Sequence, residues 1–382
     1  METILQHAQG LVYDLLSLMP SIYQKASLQA MLALFLDQQG HALPDHTSVK
    51  SASSLSRFLN HYRWPTRRVL RVARRAVLAQ FAAHLPHPGI PLRVLIDLTT
   101  LPKTGKFKHL STLTDDPQAP NPWVRLLNGK RGLHLVVLYL IVGEWRIPWS
   151  FRVWRGKGHL SPGQLACKLL NSIPAALIER RTVIVQADTE FGTIAFLKAV
   201  HQRSWRAVVG MTAKRTLQDG RSLKTLMRQS KRGVQVHLKD LEFPVTLSWF
   251  WLKRADGKRE LRFVASTYPY SEPYLIRLGR KRWAIEGFFK TAKHQFGLHC
   301  FGQSTQLGVY RWLSLSFISY LLAHWVHCWS CLKALHWKDS CHFALKTLLP
   351  SVAWSQLLAL IRDREDIAAM HGFQVSLTPL HN

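Results

Sequence analysis

RLGRKRWAIEGFFKTAKHQFGL, residues 277–298, is the stretch that gives the rest of the chain its meaning. On a helix of period 3.6, Arg282, Glu286, Lys290 and Lys293 fall at i, i+4, i+8 and i+11, close to one face. Trp283, Ile285, Phe288, Phe289 and Ala292 supply the apolar remainder. One carboxylate therefore stands among three cations. Such an acid can ligate a hard divalent ion while the cations beside it hold phosphates. The same spacing also describes a plain salt-bridged helix face, so the choice depends on what the rest of the chain brings to it.

Two upstream runs bear on that choice. LRVLID, residues 92–97, and TVIVQAD, residues 182–188, are short, rich in Val, Leu and Ile, and each ends in an aspartate. Both read as buried strands. In an open α/β sheet, acids at the carboxyl ends of neighbouring strands converge on one crevice. Asp97, Asp188 and Glu286 around one crevice make an oxygen cage for two Mg²⁺ (or Mn²⁺) ions, which clamp the attacking and leaving oxygens of an in-line phosphoryl transfer. Each acid alone has a plainer reading. Asp97 can cap a strand end. Asp188 can be the N-cap of the helix that follows, with Glu190 competing as a nearby ligand.

The segments between these runs fit an α/β domain. Thr99, Thr100, Lys103, Lys106 and Lys108 read as a loop that can hold phosphates or stay solvated, and residues 109–132 as further loop. LHLVVLYLIV (133–142) and WRIPWSFRVW (145–154) read as a hairpin split at Gly143-Glu144. Ser161-Pro162 opens a helix to about Leu170; another covers 192–203, and RAVVGM (206–211) is a strand. Residues 213–267 begin basic and polar, then alternate apolar and polar positions in VQVHLKDL, FPVTLSWFWLKR and ELRFVAST, and read as an antiparallel β insertion.

The order strand-Asp, strand-Asp with an FG-containing helix start, then R-W-x-I-E-x-x-F-K-x-x-K closely resembles the DDE transposases of bacterial insertion sequences. The branch signature is Tyr, two residues, Arg, three residues, Glu, six residues, Lys. Arg282, Glu286 and Lys293 match it in register, while Gly279 stands where the family has Tyr. The resemblance covers roughly residues 91–325. It implies a ribonuclease H-like catalytic domain interrupted by a β-rich insertion. It implies Asp97, Asp188 and Glu286 as metal ligands, and Arg282 and Lys293 as contacts to the transposon end. The implied reaction is cutting of insertion-sequence ends, then joining of the 3′-hydroxyl to target DNA. A nuclease of the same fold that cuts without joining, or a non-catalytic DNA-binding derivative, are the competing readings.

The composition agrees with a polyanionic partner. The 382 residues hold 51 Lys+Arg against 22 Asp+Glu, a formal net charge of +29, spread through folded-looking segments. With 14 Trp and 19 His, stacking and hydrogen-bonding groups are plentiful. Residues 1–90 read as helices. The one opened by Pro65 carries Arg67, Arg68, Arg71, Arg74 and Arg75; Arg67, Arg71, Arg74 and Arg75 share a face suited to phosphate contact. The expected partner is double-stranded DNA, both transposon end and target, bound by a homodimer in the cytoplasm at the nucleoid.

The five cysteines, Cys167, Cys300, Cys328, Cys331 and Cys341, suit a reducing compartment. No opening run reads as a signal peptide. Trp312 to Leu332 lacks Lys, Arg, Asp and Glu yet reads as a buried helix, so no membrane is expected. Cys328-x-x-Cys331 lies inside that apolar stretch and reads as core, without the second paired motif a zinc site requires. The expected organisation is a helical DNA-binding region (1–90), the catalytic domain in two parts (91–212 and 268–330) around the insertion (213–267), and a helical C-terminal region (331–382).

Overall fold

The computed structural model describes residues 2–84, 89–104, 123–253, 257–330 and 336–375. In chain order these form α1 (Glu2–Ser17), α2 (Ile22–Asp37), α3 (Ala52–Asn60), α4 (Thr66–His84), β1 (Leu92–Pro102), β2 (Val124–Leu127), β3 (Lys130–Val142) and β4 (Trp145–Trp154). Next come α5 (Pro162–Leu170), α6 (Ala175–Ile178), β5 (Val183–Ala187), α7 (Ile194–His201), β6 (Arg206–Met211), α8 (Leu223–Gln229), β7 (Val234–Val236), β8 (Val245–Lys253) and β9 (Arg259–Ser266). The chain closes with α9 (Glu272–Lys281), α10 (Ala284–His294), α11 (Gln306–Ser330), α12 (Trp337–Leu348) and α13 (Pro350–Met370). The result is a mixed α/β fold in two compact units, residues 77–290 and residues 1–76 with 291–382.

The unit of residues 77–290 is built on one sheet of nine described strands in the order β2-β3-β1-β5-β6-β9-β8-β7, with β4 also paired to β3. β3 pairs antiparallel with β1 and β4, whereas β1, β5 and β6 run parallel. Eleven successive residues of β3, Gly132 to Val142, are buried, so side chains on both faces of this strand are covered. Its Leu, Val and Ile run shows no alternation for that reason. The helices that flank the sheet start on local caps. Ser161 accepts from Gln164 N–H and its own N–H donates back to the Gln164 side chain, with Pro162 at the first helical position of α5. Thr193 accepts from the Phe196 N–H at the start of α7.

Four sequence expectations change here. β1 does not end at Asp97: β3 goes on pairing with it as far as Pro102↔Gly132, so Thr99 and Thr100 lie in the strand. Within the expected 109–132 loop, residues 124–127 and 130–132 belong to β2 and β3. The residues of the insertion do not form a sheet of their own, because β9 pairs antiparallel with β6 and so extends the central sheet. They also include a helix, α8, capped by the Ser222 side chain. Finally, the 277–298 stretch is not one helix. α9 stops at Lys281, and α10 starts at Ala284 after a tight turn in which the Trp283 N–H donates to Arg280 O.

The other unit is helical. α11 is apolar on every side and, apart from the half-buried Tyr310, buried from Gly308 to Val326, as a helix enclosed by others must be. α1, α2, α3 and α12 pack on it. Among the described residues no single helix is long and apolar enough to cross a membrane. Arg311, 2% exposed, donates to the carbonyls of Phe58, Leu59, Tyr62 and Trp64 and to Thr66 Oγ1. The carbonyls left open at the end of α3 are thereby satisfied, and the turn into α4 is fixed.

Candidate active site

The parallel pairing of β1 and β5 ends at the rung Ile96↔Ala187, and the next residue on each strand is one of the two aspartates. Asp97 and Asp188 therefore stand side by side where the β1–β5 pairing stops, Asp97 within β1 and Asp188 just past β5. Asp188 also occupies the N-cap of a short 3-10 turn, Thr189–Phe191, but its side chain makes no cap bond there. Two glycines let that turn lie against β6. A Cβ on Gly210 would come within 2.7 Å of Thr189 Oγ1 and 2.8 Å of Thr189 N, and one on Gly192 within 2.3 Å of Gly210 O. The FG pair in the sequence is thus a packing requirement that sets where Asp188 sits.

Glu286 lies in the first turn of α10, with its side chain 54% exposed. Ile285 and Phe288 hold the helix down, and the Phe288 ring stacks on Tyr139 of β3 at 4.5 Å between centroids. Arg282 joins the parts of the site. Its guanidinium donates to Asp97 Oδ2 at 2.9 Å and to Glu286 Oε1 at 2.8 Å, while its side chain is only 11% exposed.

Arg93 and Gln186, polar residues inside the two apolar strands, keep Arg282 in place. Gln186 Nε2 donates to the Leu278 carbonyl, and Arg93 donates to the Lys281 carbonyl at 2.7 Å and to Gln186 Oε1 at 2.8 Å. The Leu278 carbonyl also accepts from the Arg282 N–H, whereas the Lys281 carbonyl at the helix end is met by Arg93 of β1. On its inner side, Leu275 and Leu278 pack with Ile184, Val208, Phe250 and Val264. Sequence reasoning missed Arg93 and Gln186. Their signal was present, as polar positions inside LRVLID and VIVQAD, Arg93 half-buried and Gln186 fully buried, and polar groups withdrawn from water need partners.

Charge crowding shows in the titration of the site. Burial pushes the Asp97 carboxyl up to about 7; Arg282 pulls it down, and the charges of Asp188 and Glu286 push it up again. Glu190 is raised by burial and by Asp188. Three carboxylates with one guanidinium leave the cluster short of positive charge, and carboxylate oxygens are donors suited to hard divalent cations. As placed, no group of three His, Cys, Asp or Glu side chains among the described residues is gathered tightly enough to hold an ion. The guanidinium of Arg282 bridges Asp97 and Glu286. The donors fit in kind, with one resident cation already on two of them.

A narrow cleft of about 40 Å³ borders the site, with Asp188, Thr189, Arg282 and the half-exposed Trp283 on its wall. Gly279, where the signature has Tyr, lines the same cleft. A Cβ there would meet Val264 at 3.4 Å and Phe250 at 3.6 Å, so a small side chain fits in ordinary contact and a ring would have to fill the cleft.

The remaining candidates divide. Lys290 is exposed on α10, and Lys293 is half-buried in its last turn. Arg67, Arg68, Arg71 and Arg75 are exposed on α4, while Arg74 is turned partly inward, because the helix buries Val69, Ala73 and Val77 beside it. Lys103 follows β1 and is half-buried, its backbone paired with Arg131. Lys106 and Lys108 lie outside the described residues, as does Cys331. Cys328 Sγ lies 3.7 Å from His324 Nε2, and Cys341 is buried with its thiol pushed up to about 12.

The sequence matches the family described as "Transposase DDE domain" over residues 93–322. No curated protein sequence matches. Among solved structures, the fold is similar to that of the piggyBac transposase in a synaptic complex with hairpin DNA. The match covers 100% of this chain and 84% of that chain, with a TM-score of 0.52 and 12% identity.

Proposed function

The chain belongs to the DDE-domain transposase family, and from that premise we propose that it cuts the ends of an insertion sequence and joins their 3′-hydroxyls to target DNA. The observation that carries this reading is the pair Asp97 and Asp188, one residue past the last rung of two neighbouring parallel strands, with Glu286 tied to Asp97 through Arg282. Members of the family generally use divalent metal ions. Here Asp97, Asp188 and Glu286 would hold two Mg²⁺ or Mn²⁺ ions. Such a pair, when bound, activates the attacking oxygen and stabilises the leaving oxygen of an in-line displacement.

The chain's own groups position the DNA. Arg282, in the turn before α10, presents a planar fork that matches a phosphate, and Lys290 adds an exposed ammonium on α10. Lys293, Lys103 and Lys106 are assigned to further phosphates. Arg67, Arg71 and Arg74 on α4 are assigned to phosphates of the duplex. The structural neighbour was captured in a synaptic complex with hairpin DNA, which supports double-stranded ends as substrate. The order β4-β3-β1-β5-β6, antiparallel then parallel, supports a ribonuclease H-like catalytic core. The same reading makes the working form a homodimer on DNA in the bacterial cytoplasm.

The deciding experiment mixes the purified protein, Mg²⁺, a supercoiled target plasmid and a duplex bearing the terminal repeat that flanks the coding region. Joined products that vanish with Asp188→Asn are expected. Cutting without joining would replace this reading by that of a nuclease.

A further inference from the structure

Arg282 is held unlike any other side chain of the site. Its guanidinium spans Asp97 and Glu286 at 2.9 and 2.8 Å, using oxygens of two of the three acids assigned to metal. A cation entering between those carboxylates has to take the place of the guanidinium on at least one of them. The exchange is feasible on three counts. A divalent ion brings two charges where Arg282 brings one, to a cluster of three acids. Glu286 is on the open side, with its side chain 54% exposed, so one partner can turn without disturbing the core. The backbone of Arg282 is fixed through its neighbours by Arg93 and Gln186, which leaves the movement to its side chain.

On these grounds we propose that Arg282 is an exchangeable counter-cation, which competes with the divalent ion for Asp97 and Glu286 and, once displaced, takes a phosphate of the DNA end. The inference rests on the metal assignment made above and adds a coupling to it. Without DNA, Arg282 holds the metal affinity down. With a phosphate available to the freed guanidinium, metal and DNA each strengthen the binding of the other by the same factor, because coupling between two ligands is reciprocal. The acids then load fully where there is DNA to act on.

The test is Mn²⁺ binding by the full-length, EDTA-stripped protein, read from the EPR signal of free Mn²⁺, with no turnover involved. Arg282→Gln is expected to bind Mn²⁺ roughly tenfold more tightly than the parent, within the usual range of such couplings. Adding a blunt 20-base-pair duplex at low salt should tighten Mn²⁺ binding in the parent and have much less effect in Arg282→Gln. Arg282→Lys keeps a positive charge for folding but lacks the fork that bridges two carboxylates, and should fall between the two. If Arg282→Gln does not fold, the Lys variant decides, and a Mn²⁺ affinity equal to the parent's overturns the proposal. Equal or weaker binding by folded Arg282→Gln, with binding still lost in Asp97→Asn, overturns the counter-cation role and leaves the metal assignment standing. Mn²⁺ binding that Asp97→Asn does not alter overturns both.

Discussion

Arg282 and Arg311 are both arginines withdrawn from solvent, and they are held in opposite ways. Arg311 lies 4.0 Å over the Trp64 ring and gives its donors to four backbone carbonyls and one hydroxyl. Its partners are neutral and anchored in the chain, and burial lowers its pKa to about 10, which keeps it charged at neutral pH. Arg282 gives its donors to two carboxylates that can accept another cation. An arginine on dipoles closes a structure, whereas an arginine on acids occupies a position that another cation can contest. The type of partner, more than the degree of burial, separates the clamp from the candidate site.

The largest effects belong to the acids. Asp97→Asn, Asp188→Asn and Glu286→Gln should each abolish Mg²⁺-dependent cleavage and joining while leaving DNA-end binding nearly intact, since the lysines and arginines assigned to DNA remain. Gel assays of cleavage and mobility shift on the same variants separate the two. Near-parent cleavage by any one of them removes that residue from the site.

Next comes the basic helix. No acid occurs between Asp45 and Asp97, and α4 exposes four arginines within that interval. Affinity for duplex DNA should fall on the order of 10³-fold between about 50 and 200 mM salt, because phosphate contacts release counterions. The double substitution Arg67→Ala with Arg71→Ala should flatten the slope measured by fluorescence anisotropy. Arg74→Ala should do less, since Arg74 is half-buried. An unchanged slope in the double variant would move DNA binding away from α4.

The clamp itself gives the third effect. Arg311→Met takes the guanidinium from the Leu59 and Tyr62 carbonyls, while Phe58 O keeps the Trp64 indole N–H and Trp64 O the Thr66 N–H, at about 1–3 kcal/mol for each carbonyl that finds no water. A loss of roughly 3 kcal/mol is expected, lowering Tm by about 6–12 °C. A smaller change would show that water replaces the guanidinium easily and that the clamp is dispensable.

Asp97 gives the fourth. Its carboxyl titrates at about 7 in the fold against an ordinary value of 3.8. Below about pH 4 it is protonated whether the chain is folded or not, and has no effect. Between the two values the folded chain binds the proton and the unfolded chain does not, so stability falls as pH rises and levels off above about 7. At 1.36 kcal/mol per unit, and allowing for relaxation of the site, roughly 2 kcal/mol is expected. Melts in EDTA at pH 5 and pH 8 should show this loss in the parent and not in Asp97→Asn. Parallel slopes would mean that Arg282 keeps Asp97 ionised throughout.

The sequence disclosed this site unevenly, for physical reasons. Asp97, Asp188 and Glu286 stand out because each follows or sits within a strong periodic signal. The break between α9 and α10 was not legible. RLGRKRWAIEGF keeps a helical period through it, and the interruption comes from tertiary bonds that Arg93 and Gln186 make to the end of α9. The extension of β1 past Asp97 was hidden for a similar reason, since it depends on β3 pairing with Thr99 and Thr100. The merging of β9 with β6 is a long-range pairing that alternation cannot assign to a partner. What stayed legible was local pattern, the strands and the acids that follow them, and what stayed hidden was set by contacts between distant segments.

The smallest effect is the one that separates the two descriptions of Glu286 most cleanly. If Glu286 is chiefly a salt-bridge partner of Arg282, its loss strands a nearly buried guanidinium and the protein should melt well below the parent. Yet Arg282 keeps Asp97 when Glu286 is removed, at 2.9 Å and with both side chains close to sealed. The Glu286 side chain is more than half exposed, so water screens its attraction to Arg282 and solvates the amide that replaces it. An exposed i,i+4 pair contributes about 0.3–0.5 kcal/mol. Glu286→Gln should therefore shift Tm by no more than about 2 °C, taking roughly 2–4 °C per kcal/mol, although it removes all joining activity. Differential scanning calorimetry of the pair settles the point. A fall in Tm as large as that expected for Arg311→Met would make Arg282 a second structural clamp, and the contrast between the two arginines would collapse.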